Sequence, residues 1–295
     1  LLHWDGVGWS KYPSPTVSSL YAVWGNGPGN IWAVGAGGAV LHWDGMQWWP
    51  RGDGVPADLF SIWGSDTSDP WAVGSKGIIL HLDQDRWESP PSGTANDLQI
   101  VWGSRSEDIL IAGTGNSALH WDGMNWVPAE ESSAHSLNSV WGSTSSDIWT
   151  VGDQGTILHF DGRTWTALPK ATEQELRSVW GVDATHVWAV GKMGTVLKWD
   201  GSDWSRQAVP TGVDFNGVWG TDPNNVWVVG KGGTALRWNG VRWQVSPVGT
   251  IYDLWNVWGT ADGQRVWAVG AEGKIQQWYA GAWTSAGTCC QLSVT

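Results

Sequence analysis

The chain has 295 residues, of which only 15% are charged, while 41 are Gly and 29 are Trp, and its formal net charge is −12. So few charges among so many aromatics exclude a disordered polymer. The negative balance disfavours nucleic acid, where affinity comes largely from Lys and Arg on phosphates, and likewise an anionic membrane surface, so neither partner is expected.

No run approaches the ~18 consecutive apolar residues of a membrane span, so no membrane insertion is expected. The chain opens at Leu1 inside a repeat and without Met. That start predicts a targeting segment upstream and an extracellular, cell-surface or periplasmic location. Cys289 and Cys290 are adjacent and near the end, which suits neither a disulfide framework nor metal-ligand spacing.

The first element, residues 1–11, reads as a hairpin: Leu-His-Trp, then Asp5-Gly6, then a strand from Trp9. From there Trp-Gly recurs at Trp24, Trp63, Trp102, Trp141, Trp180, Trp219 and Trp258, always 39 residues apart. Such regularity leaves no room for an inserted domain, and 1–295 reads as a single domain.

The copy beginning at Leu137 shows the content of one repeat. Leu-Asn-Ser-Val-Trp-Gly is a short apolar run, Ser-Thr-Ser-Ser-Asp a turn, and Ile148 to Gly152 a second run. A tight Asp-Gln-Gly155 turn leads to a third run, Thr156 to Phe160. Asp161-Gly162 then predicts a hairpin, because both residues tolerate the positive φ of a two-residue turn, and a fourth run carries Trp165. Four short strands per ~40 residues, separated by Gly and Asp turns, are the signature of a propeller blade. No 3.6-residue apolar period survives between the glycines, which excludes helices.

Tryptophan fills matched positions in every strand but the first of a repeat is always Trp-Gly. Second-strand positions are Trp32, Trp71, Leu110, Trp149, Trp188, Trp227 and Trp267, and fourth-strand positions run from Trp9 to Trp283. Only Trp49 and Trp255 fall outside the register. The prediction is an all-β, seven-bladed β-propeller of four-stranded blades, with Trp24 and its six equivalents buried between blades. The third–fourth hairpin occurs eight times and the inner strands seven. Eight blades, one assembled from both termini, therefore stays open, with 1–11 serving ring closure and 284–295 a terminal tail.

Few residues suggest chemistry. His3, His42, His81, His120 and His159 share one repeat slot, followed by Lys198, Arg237 and Gln277. Equivalent residues of adjacent blades should be over ~10 Å apart, too far for one metal at ~2.1 Å from each nitrogen. The slot is read as structural, and no metal or redox cofactor is expected. Arg51-Gly52-Asp53 resembles an integrin-recognition tripeptide, with Gly54 and Pro56 supplying ordinary turn chemistry. Cys289-Cys290 resembles the vicinal disulfide of quinone-dependent alcohol dehydrogenases in that dipeptide alone.

The Asp-Gly-x-x-Trp hairpin resembles the Asp-box of sialidases, one residue shorter. That family implies an arginine cluster and a Tyr–Glu pair, whereas the inner strands here offer only Arg177 and the chain has four tyrosines. No catalytic residue is assigned and the chain is not read as an enzyme.

Fourth-strand Trp, Pro/Gly loop, Leu-x-Ser-Val, second-strand Trp with Val-Gly and Leu-His-Trp-Asp-Gly together resemble the tectonin repeat of invertebrate and fish-egg lectins, apart from the added Trp-Gly. Val-Trp-Gly…Trp-Ala-Val-Gly…His-Trp-Asp-Gly arrays are also similar to those of secreted or surface proteins of myxobacteria. The resemblance implies a bacterial, lectin-like or adhesin-type propeller binding a glycan or a surface protein. Ring repetition would then supply several weak sites joined by avidity.

The candidate site follows from variation within the strict repeat. The residue three before each Trp-Gly tryptophan changes chemistry most: Tyr21, Phe60, Gln99, Asn138, Arg177, Asn216 and Trp255. Strand alternation places it opposite the invariant tryptophan, near the fourth-to-first loops. Trp49 begins such a loop and Tyr252 lies in another. Trp49, Trp255, Tyr21, Phe60, Arg177 and Tyr252 are the predicted ligand-binding residues, for a sugar or a protein hot spot.

Overall fold

Each 39-residue repeat folds as one antiparallel four-stranded sheet in a computed structural model that describes residues 1–52, 54–65, 69–115, 117–121, 123–128 and 135–288. Among the described residues there are seven such sheets and one two-stranded sheet, and the helices are single 3-10 turns between second and third strands. The fold is the expected seven-bladed β-propeller. Arg51-Gly52-Asp53 is described only as far as Gly52, and Cys289-Cys290 lies outside the described residues.

The blades fall into two compact groups. The first holds residues 11–150 and 158–168, which make up blades 1 to 3 and most of blade 4. The second holds 2–10, 151–157 and 169–295, with blades 5 to 7 and the amino-terminal hairpin. Blade 2 represents the first group: Leu59–Gly64, Pro70–Gly74, Ile79–Asp83 and Arg86–Glu88. Blades 6 and 7 represent the second: Phe215–Asp222, Asn225–Gly230, Ala235–Trp238 and Trp243–Val245, then Leu254–Gly259, Arg265–Gly270, Lys274–Tyr279 and Ala282–Thr288.

Within each group the core lies between successive blades, as the two-sided apolar strands require. One cluster joins Trp32, Val34 and Leu59 to Leu82 and Trp87, and another joins Trp188 and Phe215 to Leu236 and Trp243. The second-strand tryptophans are its centre. Trp71 meets Trp121 and Trp126 of the next blade at centroid distances of 5.4 Å each. Trp227 meets Trp278 at 5.1 Å and Trp283 edge-on at 5.4 Å. Such tilted and T-shaped geometries suit the ring quadrupole.

The Trp-Gly pair has a different job. A Cβ built on Gly103 would lie 2.5 Å from Cη2 of Trp63 in the preceding blade, and Gly142 and Gly259 stand in the same relation to Trp102 and Trp219. At these positions and at Gly64 the indole of the preceding blade leaves no room for a Cβ, whereas at Gly220 the crowding comes from Asn225 and Val226 of the same blade. These tryptophans are not uniformly buried, contrary to expectation: most are half-buried along the inner strand, Trp219 is buried, and Trp258 is 62% exposed. Trp219 is covered where Gly259 of the next blade receives it.

The Asp-Gly turn also differs from its reading. Asp161 does not take the positive φ; Gly162 does, at 93°. The Asp161 carboxylate instead accepts the backbone N–H groups of Arg163 and Thr164, each at 2.9 Å. The same cap holds Asp44, where the Gln47 N–H and the Trp49 indole lower the carboxyl to about 2.

Candidate functional site

Six of the seven variable positions owe their character to a backbone irregularity. In six blades the register of the first strand slips by one residue there: Leu59 pairs with Gly74 and Ser61 with Val73, leaving Phe60 as the extra residue. Tyr21, Gln99, Arg177, Asn216 and Trp255 occupy the same bulge. A β-bulge leaves its residue out of the ladder and re-aims the side chain, which frees it from the packing that fixes its neighbours. The glycine closing the second strand belongs to this arrangement, since a Cβ on Gly74 would lie 1.8 Å from the Asp58 carbonyl oxygen.

Within the first group the bulge brings together Tyr21 and Phe60, whose ring centroids are 6.1 Å apart. In the second group Arg177 donates to Asn216 Oδ1 at 2.8 Å, and Asn216 Nδ2 donates to the Leu254 carbonyl at 2.8 Å, beside Trp255. Arg177 is further held by Glu175 at 2.7 Å, and Glu175 by Lys192 at 2.6 Å. Asp214 lies 3.6 Å from Arg177 and 2.9 Å from Lys231. Burial pushes the Glu175 carboxyl up, but the hydrogen bonds from Arg177 and Lys192 outweigh it and hold it below its usual value. Arg177 is thus committed to a network joining blades 5 and 6. Trp255 is 52% exposed, and Tyr252 is half-exposed with Lys274 Nζ 5.1 Å from its ring centroid.

Trp49 stands apart from the bulge. It lies in the outermost strand Trp48–Pro50, and its indole Nε1 donates to Asp44 Oδ2 at 2.7 Å, in the third–fourth turn rather than a fourth-to-first loop.

The histidine slot resolves into a repeated polar network that the sequence reading missed. His120 Nε2 lies 2.6 Å from Asp108 Oδ1 and Ser104 Oγ donates to Asp108 Oδ2 at 2.7 Å. His159 stands 2.8 Å from Asp147, which accepts from Ser143, and His81 bonds Asp69. In blade 1 the partner is Asn30, 2.6 Å from His42. The imidazoles of His42, His81 and His159 stack on the second-strand indoles, and in later blades Lys198 and Arg237 lie over Trp188 and Trp227 at 5.5 and 5.2 Å. Imidazole, ammonium and guanidinium share the slot because each can lie over an indole face. The legible signal was the acid or amide twelve residues before the slot.

This Ser–Asp–His set has the residues of a hydrolase triad in the wrong order. The hydroxyl donates to the carboxylate, not to the imidazole, so no base faces it and no nucleophile is activated. Among the described residues no three His, Cys, Asp or Glu side chains converge on one point.

The network has a pH consequence. Burial pushes Asp108 and Asp147 up, but hydrogen bonds from His120 with Ser104, and from His159 with Ser143, more than reverse this, and both carboxyls sit below their usual range. A carboxyl lowered on folding stabilises above its unfolded pKa of ~3.9 and loses that contribution as pH falls through the folded value. Asp108→Asn is therefore expected to cost roughly 1.5–3 kcal/mol at pH 7 and much less at pH 2. Urea titrations of both proteins at the two pH values check this, and an equal deficit at both would contradict it.

A cleft of about 680 Å³ opens between blades 1 and 2, lined by Trp32, His42, Arg51, Leu82, Asp85 and Trp87. Arg51 adds its repulsion to burial in lowering the His42 pKa.

Fold and site define a propeller with a repeated polar network beside its second-strand positions and variable side chains at its first-strand bulges. No protein-family model matches the sequence, and no characterised protein matches it in sequence. Solved structures do. YCF48 bound to D1 peptide is 18% identical with a TM-score of 0.70, covering 94% of this chain and 96% of that one. YCF48 from Cyanidioschyzon merolae is 18% identical with a TM-score of 0.68, covering 92% and 99%. The C-terminal WD40 domain of Sif2 is 11% identical with a TM-score of 0.73, covering 90% and 82%. At these identities the likeness shows the fold alone, and the tectonin resemblance rests on repeat layout. No helix among the described residues is long and apolar enough to cross a membrane.

Proposed function

We propose that the chain is a non-catalytic recognition propeller that binds a protein partner through its bulge side chains, with Trp255 and Tyr252 as aromatic anchors. One observation carries this: every registered bulge presents a different side chain, Tyr, Phe, Gln, Arg, Asn or Trp, on an otherwise uniform scaffold. Rigid elements presenting variable groups are the usual basis of specific recognition. One structural neighbour, YCF48, is solved with a peptide bound. A lectin-like reading is favoured by the exposed indole of Trp255 and the half-exposed Tyr252, since sugars stack on aromatic faces.

Parallel peptide and glycan arrays, probed with the parent and with Trp255→Ala and Tyr252→Ala, separate the two. Peptide binding weakened at least tenfold by either variant, with melting temperature unchanged, is the expected result. Glycan binding alone would replace the protein partner by a sugar, and binding equal in parent and both variants would place the site elsewhere.

A further inference from the structure

Three departures from the repeat meet at the cleft between blades 1 and 2. The third-strand slot is Trp43, Trp121, Phe160, Trp199, Trp238 or Trp278 elsewhere, and Leu82 is its one non-aromatic member. The glycine of the turn that follows is replaced, by Gln84, in blade 2 alone of the first six. The residue three after each fourth-strand tryptophan is uncharged at Tyr12, Pro90, Ala129, Leu168, Gln207 and Ser246, but it is Arg51 in blade 1. Leu82, Gln84 and Arg51 all line the one cleft, together with Trp32, His42 and Asp85.

Leucine fills less space there than an indole does at the next interface. Between blades 2 and 3, Trp121 and Trp126 both pack on Trp71, each at 5.4 Å. Between blades 1 and 2, Trp87 packs on Trp32 at 5.6 Å, and Leu82 stands opposite Trp87 in the place of Trp121. The cleft measures about 680 Å³, against about 530 Å³ for its counterpart lined by Trp71, His81 and Trp121. Each blade also brings one charge to it. Arg51 follows the fourth strand of blade 1, its backbone N–H held by the Val40 carbonyl at 2.8 Å. Asp85 belongs to the turn of blade 2, where Gln84 and Asp85 take φ of 47° and 65°. Blades 1, 4, 5 and 6 have Gly45, Gly162, Gly201 and Gly240 in the Gln84 slot. Blade 2 thus keeps two side chains in the left-handed region, a strain that collects at functional sites. Among the described residues no ion pair joins Arg51 to Asp85. His42 stacks on Trp32 at 4.2 Å, and burial with the Arg51 charge lowers its pKa, so it is neutral at pH 7.

We infer that this cleft binds a free aromatic α-amino acid. Its ring takes the space beside Leu82, its carboxylate meets the Arg51 guanidinium, and its ammonium meets the Asp85 carboxylate. Concave sites with an apolar lining and a few convergent polar groups choose their ligand by those groups. A guanidinium suits a carboxylate because it offers two parallel hydrogen bonds. The neutral His42 adds no third charge, which leaves one cation and one anion for a zwitterion. A sugar carries neither charge, and an aromatic residue inside a peptide has neither free end. The cleft shares no residue with the bulges, and the inference does not rest on them.

The test titrates the whole chain with L-tryptophan by isothermal calorimetry at neutral pH. Saturable binding at one tryptophan per chain is expected. Arg51→Gln and Asp85→Asn should each weaken it at least tenfold and keep the parent's melting temperature, since both side chains are exposed. Leu82→Trp, which restores the repeat and fills the space, should abolish binding. N-acetyl-tryptophanamide, with the ring but neither charge, should bind at least tenfold more weakly than tryptophan. Absence of saturable binding, or binding indifferent to Arg51→Gln and Asp85→Asn, would overturn the inference. Equal binding of tryptophan and N-acetyl-tryptophanamide would overturn it too. So would N-acetyl-tryptophan bound as tightly as tryptophan, which would assign the cleft to the carboxyl end of a chain.

Discussion

Trp188→Ala is expected to cost ~3–5 kcal/mol, among the largest single losses available to this protein. Trp188 has no exposed surface and sits in the cluster of Val190, Phe215, Val226 and Trp243 between blades 5 and 6. Burying an indole removes roughly 200 Å² from water, worth at most about 5 kcal/mol at ~25 cal/mol per Å². The two neighbouring sheets cannot collapse into the space left behind, so a cavity term adds to the transfer term. Trp49→Ala should cost below ~1 kcal/mol, because that half-exposed indole is held by a single hydrogen bond to Asp44. Urea unfolding followed by fluorescence and by far-ultraviolet circular dichroism checks both. Equal losses for the two variants would mean that the second-strand tryptophans are not the core.

The contrast between these residues marks how far the sequence could be read. The blade itself was plain: Asp-Gly turns, apolar runs of strand length and a period without exception. The four tryptophan positions of each repeat looked alike, since periodicity says that a residue is in register and not which neighbour covers it. Burial is decided between blades, by glycines 40 residues away such as Gly103 under Trp63 and by the edge rings of Trp126 on Trp71. Trp-Gly was legible as a motif, while the reason for its glycine was not.

The candidate site was legible in a different way. Variation within a strict repeat picked out Phe60, Arg177, Asn216 and Trp255, and these are the bulge residues. Strand alternation was the wrong reason, because a bulge suspends alternation at that point. Trp49 was misplaced on the same logic. It lies outside the register simply because the fourth strand is an edge, where its partner is Asp44 of its own hairpin. The Asp108–His120 pair went unseen because its two members are on different strands and vary together only as Asn30–His42 or Asn225–Arg237 do, an exchange of polar partners across strands.

Gly103→Ala should be the sharpest test of the interlocked inner strands. The added methyl would sit 2.5 Å from Cη2 and 2.6 Å from Cζ3 of Trp63, well inside contact distance. The indole cannot retreat easily, because its own strand Leu59–Gly64 is stapled to the next blade where Val101 N–H donates to Ser61 Oγ at 3.2 Å. Overpacking of this kind costs ~1–3 kcal/mol and more where backbone must shift, so a loss of ~3 kcal/mol is expected from one methyl. Trp63→Ala alone should cost ~2–4 kcal/mol, somewhat less than a fully buried indole, since Trp63 is half-buried. In the double variant the methyl enters space the indole has left. The combined loss should then fall short of the sum by at least ~1.5 kcal/mol, a coupling that a double-mutant cycle reads directly. Gly27→Ala, at a glycine with open space around its Cβ position, is the matched control and should change stability by less than ~0.5 kcal/mol. Additive losses at Gly103 and Trp63 would mean that the glycine serves backbone freedom alone and that the indole does not lie on it.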